Sequence, residues 1–267
     1  MAIRLIGIDL DDTLLDGKGN ISVKAAEMIK KIKDKGVLVT LATGRMYSSA
    51  LPYALKLNME LPLITYQGAL VKNSLSGEVL YYKPLEPKKA GEIIDFFKSY
   101  KVHYHAFLGD NLCMEKLTPE GRDYINFAGL NADLVPDLRR KAGEGGSIKV
   151  TAMSYEVEKI LEMEKILKRN YEGELHITRS RPYFLDVLHV KADKAEALKV
   201  VAEHYGIKQE EVMAIGDSYN DIPMLRWAGI GVAMGNAPEE VKKEADYVTF
   251  SNEEEGVAYI LEKLILR

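Results

Sequence analysis

Three carboxylates stand close together near the start of the chain, immediately after a short apolar run. They are Asp9, Asp11 and Asp12, and the run before them contains Ile3, Leu5, Ile6, Ile8 and Leu10. A nearly continuous apolar run bounded by polar residues is typical of a buried strand in a parallel sheet. Ligands of open α/β sheets bind outside the carboxyl ends of the strands, so these acids form a candidate site. Because like charges repel at this spacing, the site requires a divalent cation or a proton held on one carboxyl group.

Further polar clusters end predicted strands or begin a predicted helix. They are Thr43 with Gly44, then Lys194, then Asp217 with Asn220 and Asp221. If the strands are parallel, all of these ends converge with Asp9 and Asp11 on one edge of the sheet. Phosphoryl transfer requires such a set, because its catalysis consists mostly of positioning and charge neutralisation.

Strands and helices alternate on both sides of these clusters. The predicted strands cover 37–42, 62–66, 211–215, 230–233 and 247–250, and the predicted helices cover 23–35, 194–205, 238–243 and 253–266. Ser22 and Asp193 are good N-caps for two of these helices. This alternation predicts a parallel sheet with right-handed crossovers.

The middle of the chain has a different pattern. Here hairpin-like pairs of strands surround predicted helices at 88–100 and 156–170, which indicates an inserted antiparallel α+β module. We therefore expect the first part of the core at 1–82, the insert at 83–188 and the second part of the core at 189–267.

The composition narrows the class of protein. The chain has 267 residues, a formal net charge of −4 and a single cysteine, Cys113. The negative charge argues against nucleic acid or an anionic membrane as the main partner, and the cysteine count excludes an internal disulfide framework. We predict no signal peptide and no membrane span, and expect a cytoplasmic enzyme that is a monomer or homodimer.

The segment Asp9-Leu10-Asp11-Asp12-Thr13-Leu14-Leu15 resembles the D-x-D-G-T signature of the haloacid dehalogenase-like (HAD) phosphohydrolases. The likeness continues through the other clusters and is greatest for the Cof-type branch, which resembles sugar phosphatases and carries a class IIB cap. It implies an α/β, Rossmann-like core with an inserted α+β cap that closes over the site. Asp12, Gln67 and Ala195 depart from the family pattern, which usually has glycine, asparagine and glycine there.

The resemblance also implies a role for each site residue. Asp9 matches the nucleophile that forms an aspartyl-phosphate, and Asp11 matches the general acid and base. By the same match, Mg²⁺ is bound by the side chains of Asp9 and Asp217 and by the backbone carbonyl of Asp11.

The remaining residues are matched to phosphate binding. The resemblance implies that the phosphoryl oxygens are contacted by the Thr43 hydroxyl, the N–H groups of Leu10 and Gly44, the Lys194 ammonium and the Asn220 amide. Asp221 is expected to orient the lysine or a metal-bound water, and Arg45 is a candidate substrate contact.

Several charged residues have alternative interpretations. Lys191 competes with Lys194, which we prefer because it begins a helix. His103 and His105 alternate on one strand face and are interpreted as a surface pair rather than metal ligands. Arg179 and Arg181 either reach a substrate or are solvated turn residues, and we favour the second.

These features predict a Mg²⁺-dependent phosphoric monoester hydrolase that acts on small phosphorylated metabolites, with sugar phosphates expected. The preference for sugars rests on the resemblance alone. A sugar phosphomutase is the enzymatic alternative. A phospho-receiver or regulatory protein is the alternative from another class, and the separation of Asp217 from Asp9 and Asp11 in the chain argues against it.

Overall fold

A computed structural model describes residues 2–266. The chain forms two compact units: one contains the chain up to Tyr81 and from Asp193 onward, and the other is Tyr82–Ala192. The sequence pattern predicts the insert at 83–188, which ends four residues before the observed unit does. The turn after its last strand belongs to the same unit, where Ala192 N donates to His189 O at 2.8 Å.

The first segment of the discontinuous unit begins with the predicted buried strand. Its elements are β1 (Leu5–Ile8), α1 (Val23–Asp34), β2 (Leu38–Leu41), α2 (Tyr47–Lys56), β3 (Pro62–Thr65), β4 (Leu70–Asn73) and β5 (Val79–Tyr82). All residues of β1 are buried. Ser22 caps α1 as predicted, because its Oγ accepts a hydrogen bond from Ala25 N.

The inserted unit is built on a six-stranded sheet. Its elements are α3 (Pro87–Ser99), β6 (His103–Leu108), β7 (Asn111–Met114), α4 (Pro119–Ala128), β8 (Ala132–Leu134), α5 (Leu138–Gly145), β9 (Lys149–Met153), α6 (Val157–Asn170), β10 (Leu175–Arg181) and β11 (Phe184–His189). The strand order is β10-β11-β9-β6-β7-β8. Neighbouring strands in this order pair antiparallel, except that β7 pairs parallel with β8. Residues of α3, α5 and α6 share an apolar core with these strands.

The chain then returns to the first unit. Its last elements are α7 (Lys194–His204), β12 (Val212–Gly216), α8 (Ile222–Trp227), β13 (Ile230–Ala233), α9 (Glu239–Lys242), β14 (Tyr247–Val248) and α10 (Gly256–Leu261). The main sheet has the order β14-β13-β12-β1-β2, and its strands are all parallel. The predicted α/β fold with a parallel-sheet core and an α+β insert is therefore confirmed. Within residues 2–266, no helix is both long and apolar enough to cross a membrane.

The strand β3 differs from its predicted place in the parallel sheet. It pairs antiparallel with β4 in a separate three-stranded sheet. A single parallel bridge, Ala42 to Ile64, joins it to the end of β2. The predicted strand is present, but its expected place in the parallel sheet was wrong, because the hairpin that follows provides β3 with its hydrogen-bond partner.

The two histidines of β6 are buried, so their interpretation as a surface pair was wrong. His105 is fully buried and His103 is nearly so. Their ring nitrogens lie 3.2 Å apart, and the Thr118 hydroxyl lies 2.9 Å from the other nitrogen of His103. Helix α4 covers them, with the ring of Tyr124 4.2 Å from that of His105. Alternation along a strand shows which residues share a face, but it does not show which helix covers that face.

Candidate active site

The parallel register brings the ends of three strands together. Ile8 is paired with Ile215 of β12 and with Leu41 of β2. The next residue, Asp9, continues the β1 line, because its N–H donates to Ile215 O at 2.9 Å. Its side chain is directed into the protein and is 5% exposed. The candidate nucleophile therefore lies at the carboxyl edge of the sheet, as its position after an apolar run predicts.

Lys194 lies in the middle of the acidic cluster. Its Nζ donates to Asp9 Oδ1 at 2.5 Å and to Asp221 Oδ1 at 2.6 Å, and the side chain is fully buried. Burial acts to lower the Lys194 pKa, but the carboxylates of Asp221 and Asp9 outweigh it and hold the pKa above its ordinary value. Asp193 orients the lysine by capping α7, where it accepts from Ala195 N and Glu196 N. The competing Lys191 is exposed.

Asp221 joins this lysine to the loop after β12. Its Oδ2 accepts hydrogen bonds from Asp217 N at 3.0 Å and Ser218 N at 2.9 Å, while its Oδ1 accepts from Lys194. Gly216 makes this possible, because a Cβ there would lie 2.5 Å from Asp221 Cγ. Asp221 is thus the buried link between the lysine and the Asp217 loop.

Asp217 contacts the loop that follows β1. Its Oδ1 accepts a hydrogen bond from Thr13 Oγ1 at 2.7 Å. Burial raises the pKa of Asp217 to about 7, with a further contribution from Asp221, while the bond from Thr13 opposes the rise. Burial also raises the pKa of Asp9, against the attraction of Lys194. The positive charge of Lys194 is therefore too small to keep the pKa values of both carboxyl groups at their ordinary level.

Thr43 and Asn220 are brought together by a residue far from both in sequence, Gln67. Gln67 N donates to Thr43 O at 3.1 Å, and Asn220 Nδ2 donates to Gln67 Oε1 at 2.7 Å. The Gln67 side-chain amide also lies against Gly44, where a Cβ would come within 2.4 Å of Nε2. Thr43 is fully buried, and its Oγ1 accepts from Arg45 N at 3.1 Å.

The side chain of Asp11 is directed to Arg45. The guanidinium donates from Nε to Asp11 Oδ2 at 2.9 Å and from Nη2 to Asp11 Oδ1 at 2.6 Å. Burial acts to lower the Arg45 pKa, but the hydrogen bond that Arg45 donates to Asp11 and the charge of that carboxylate raise it. The ring of Tyr53 lies 5.2 Å from the guanidinium carbon. In this arrangement Arg45, the candidate substrate contact, is an ion-pair partner of the candidate general acid.

The carboxylates fit a divalent cation. One oxygen from each of Asp9, Asp217 and Asp221 lies within 4.8 Å of the others. Both oxygens of Asp221 already accept hydrogen bonds, so Asp9 and Asp217 are the better ligands. Asn220 Oδ1 is buried and has no hydrogen-bond partner within residues 2–266. Raised pKa values on clustered acids and a buried carbonyl oxygen without a donor both indicate a hydrated cation at this place.

Sequence reasoning did not include two residues that the structure adds to the site. Thr13 was within the D-x-D-x-T segment, but its contact with Asp217 depends on a residue 204 positions away. Gln67 was noted only as a departure from the family pattern. Asp12, which stands where the family usually has glycine, has a positive φ of 58°. Its carbonyl oxygen accepts from Asn236 Nδ2 at 2.8 Å.

The core is a parallel sheet with a buried lysine–aspartate cluster at its carboxyl edge, and the chain of this core is interrupted by an α+β unit. This is the architecture of a haloacid dehalogenase-like hydrolase. The sequence profile of that family matches residues 6–261, and the chain belongs to it. The resemblance recognised in the sequence is therefore confirmed, and the chain is an enzyme of the hydrolase class.

Similar proteins cover almost the whole chain. A putative phosphatase, YxeH of Bacillus subtilis (strain 168), is 32% identical over 98% of both chains. The 5-amino-6-(5-phospho-D-ribitylamino)uracil phosphatase YwtE of the same organism is 31% identical over 98% of both. Among solved structures, the HAD subclass IIB sugar phosphatase BT4131 has a TM-score of 0.86 and 28% identity, covering 97% of this chain and 98% of its own. These relatives support the prediction of a phosphoric monoester hydrolase.

Proposed function

We propose that this protein is a Mg²⁺-dependent phosphatase that hydrolyses small phosphorylated metabolites through an aspartyl-phosphate on Asp9. The observation that carries the proposal is the position of the Asp9 carboxylate. It lies at the carboxyl edge of the sheet, 2.5 Å from Lys194 Nζ and beside Asp217. A carboxylate held between a fixed cation and a metal-binding acid is suited to attack an anionic phosphoryl group, because the surrounding charges reduce the repulsion.

In the first step, an oxygen of Asp9 forms a bond to phosphorus as the bond from phosphorus to the leaving oxygen breaks. Asp11 gives a proton to that leaving oxygen. Both Asp11 oxygens accept from Arg45 in the described arrangement. The general-acid role therefore requires the Asp11 side chain to separate from Arg45 and reach the leaving oxygen.

In the second step, water attacks the phosphorus of the aspartyl-phosphate. Asp11 accepts a proton from this water, and the bond from phosphorus to Asp9 breaks to release inorganic phosphate. Lys194 remains paired with Asp221 throughout, so its charge is held in place. The Thr43 hydroxyl and the Asn220 amide are the proposed hydrogen-bond contacts of the phosphoryl oxygens.

Asp9, Asp217 and the backbone carbonyl of Asp11 are the proposed ligands of Mg²⁺. When bound, the ion supplies a positive charge that neutralises the phosphoryl oxygens. Asp217 is fixed for this role by the hydrogen bond that it accepts from Thr13, and Asp9 by the one that it accepts from Lys194. The pairing of the Asp11 carboxylate with Arg45 is compatible with ligation through its main-chain oxygen alone.

The expected substrates are phosphate monoesters of small polyhydroxylated compounds, sugar phosphates first. This class is supported by the relatives, which include a sugar phosphatase and a phosphatase of a phosphorylated ribityl compound.

The test is phosphate release from a panel of sugar phosphates, nucleotides and the ribitylaminouracil phosphate, with and without Mg²⁺. The wild-type protein is compared with Asp9→Asn, which keeps the shape of the side chain and removes the nucleophile. Turnover that requires Mg²⁺ and is absent in the variant supports the proposal. Turnover that survives in Asp9→Asn refutes the assignment of the nucleophile.

Two other outcomes would favour the alternatives. An isomeric sugar phosphate without free phosphate would identify a phosphomutase. A phosphorylated Asp9 that persists for many minutes without turnover would identify a phospho-receiver.

A further inference from the structure

A left-handed turn at residues 66–68 is the most unusual backbone segment beside the site. Tyr66, Gln67 and Gly68 follow β3 with φ values of 51°, 58° and 97°. Residues other than glycine rarely adopt this region, and two in succession are rarer still. Such strain persists only where the surrounding contacts hold it, and it often occurs at functional sites.

The backbone of this turn is bonded to the segment that contains Thr43 and Arg45. Tyr66 N donates to Arg45 O at 2.8 Å, and Gln67 N donates to Thr43 O at 3.1 Å. An extended backbone at residues 66 and 67 would direct these N–H groups away from the carbonyl oxygens of Arg45 and Thr43. The left-handed conformation therefore holds the 43–45 segment in position. That segment supplies the Thr43 hydroxyl and the Gly44 N–H to the proposed phosphoryl site.

The turn also lies directly against the start of α7. A Cβ at Gly68 would lie 2.1 Å from Asp193 O and 3.0 Å from Lys194 N. Only glycine permits this approach, both for its φ and for the space. The backbone of the turn therefore contacts the helix start that carries the buried lysine.

The Gln67 side chain extends the same connection to the third segment of the site. It is 1% exposed, and its Oε1 accepts from Asn220 Nδ2 at 2.7 Å. This is the hydrogen bond that sets which way the Asn220 amide faces, because Asn220 Oδ1 has no partner within the described residues. Without Gln67, the amide could rotate between two orientations.

We propose that Gln67 is a positioning residue of the phosphoryl-binding site, acting through Asn220 and the 43–45 segment. Its backbone fixes the Thr43 segment, and its side chain holds one N–H of the Asn220 amide, which leaves the other N–H for a phosphoryl oxygen. The inference rests on the proposed function, since it assigns Gln67 to the same site. It predicts that loss of the Gln67 amide weakens phosphoryl binding only while Asn220 is present.

The experiment compares wild type, Gln67→Leu, Asn220→Ala and the double variant. Leucine is similar in size to glutamine and removes the amide. The probe is inorganic phosphate, whose dissociation constant is measured by calorimetry with Mg²⁺ present, alongside kcat and KM. We expect Gln67→Leu to weaken phosphate binding and raise KM about tenfold, and to change neither further in the Asn220→Ala background.

The matched control is Gln209→Leu, because Gln209 Nε2 donates to Trp227 O at 2.6 Å near the start of β12, away from the site. This variant should leave phosphate binding unchanged. If Gln67→Leu does not fold, Gln67→Met serves instead, since it keeps the length of the side chain and removes the amide.

The outcomes separate this inference from the proposed function. If wild type binds phosphate but hydrolyses no ester, the function fails and the coupling between Gln67 and Asn220 is still measured. Effects of the two substitutions that simply add would overturn the positioning role, as would phosphate binding by Gln67→Leu equal to that of wild type. Absence of phosphate binding by wild type would overturn the inference alone, because ester hydrolysis tests the proposed function separately.

Discussion

Replacement of Lys194 by methionine tests the electrostatics of the site most directly. Lys194 is fully buried and donates to Asp9 and Asp221 at 2.5 and 2.6 Å. Methionine fills a similar volume but leaves these carboxylates buried without their cation. Removing one partner of a buried ion pair typically costs about 3–5 kcal/mol, whereas an exposed pair contributes about 1 kcal/mol or less.

The loss of stability should depend on pH, because a carboxyl group can escape its unpaired charge by taking up a proton. For Asp9, whose ordinary pKa is 3.8, protonation costs about 1.4 kcal/mol for each pH unit above that value. This cost is about 4 kcal/mol at pH 7 and about 2 kcal/mol at pH 5. We therefore expect Lys194→Met to lose about 4 kcal/mol at pH 7 and about half of that at pH 5.

The assay is chemical unfolding in the presence of a chelator, followed by tryptophan fluorescence. Trp227 is the single tryptophan, and it packs against the core of the unit that contains the site, so the signal reports on that unit. Lys191→Met is the matched control, because Lys191 is exposed. A loss in Lys194→Met as small as in the control, or equal losses at pH 5 and pH 7, would refute the reasoning.

Three further changes have defined outcomes. Arg45→Met should lower kcat/KM about 100-fold, because it removes the cation that can contact the substrate once Asp11 has separated from it, and Arg45→Lys about tenfold because lysine keeps the charge without the two-pronged contact; phosphate release measures both. Burial lowers the His103 pKa to about 4. The unfolded chain then binds the proton more tightly, so stability should fall by up to about 3 kcal/mol between pH 6.5 and pH 4. Calorimetry should show a smaller fall in His103→Phe. Gly68→Ala should lower the melting temperature by several degrees more than Gly109→Ala, since both glycines have positive φ but, of the two, only Gly68 lacks space for a Cβ.

Much of the core followed from local patterns. The apolar run of β1, the cap residues Ser22 and Asp193, and the polar residues after each strand are local features, and the structure has the corresponding elements. The insert was harder to predict. Strand β8 has only three residues, and α5 contains glycines at positions 143 and 145, so neither has a pattern that favours its structure.

The sequence by itself determined which aspartates, which threonine and which lysine lie at the carboxyl edge of the core. Their positions follow from where strands end and helices begin. Only the tertiary structure decided their partners. Lys194 meets Asp9 across 185 positions, and Asn220 meets Gln67 across 153. Such pairs depend on the register of parallel strands and on side-chain directions. The pairing of Asp11 with Arg45 likewise depends on how two loops meet. Local patterns place residues along an element, whereas packing between elements determines which side chains touch.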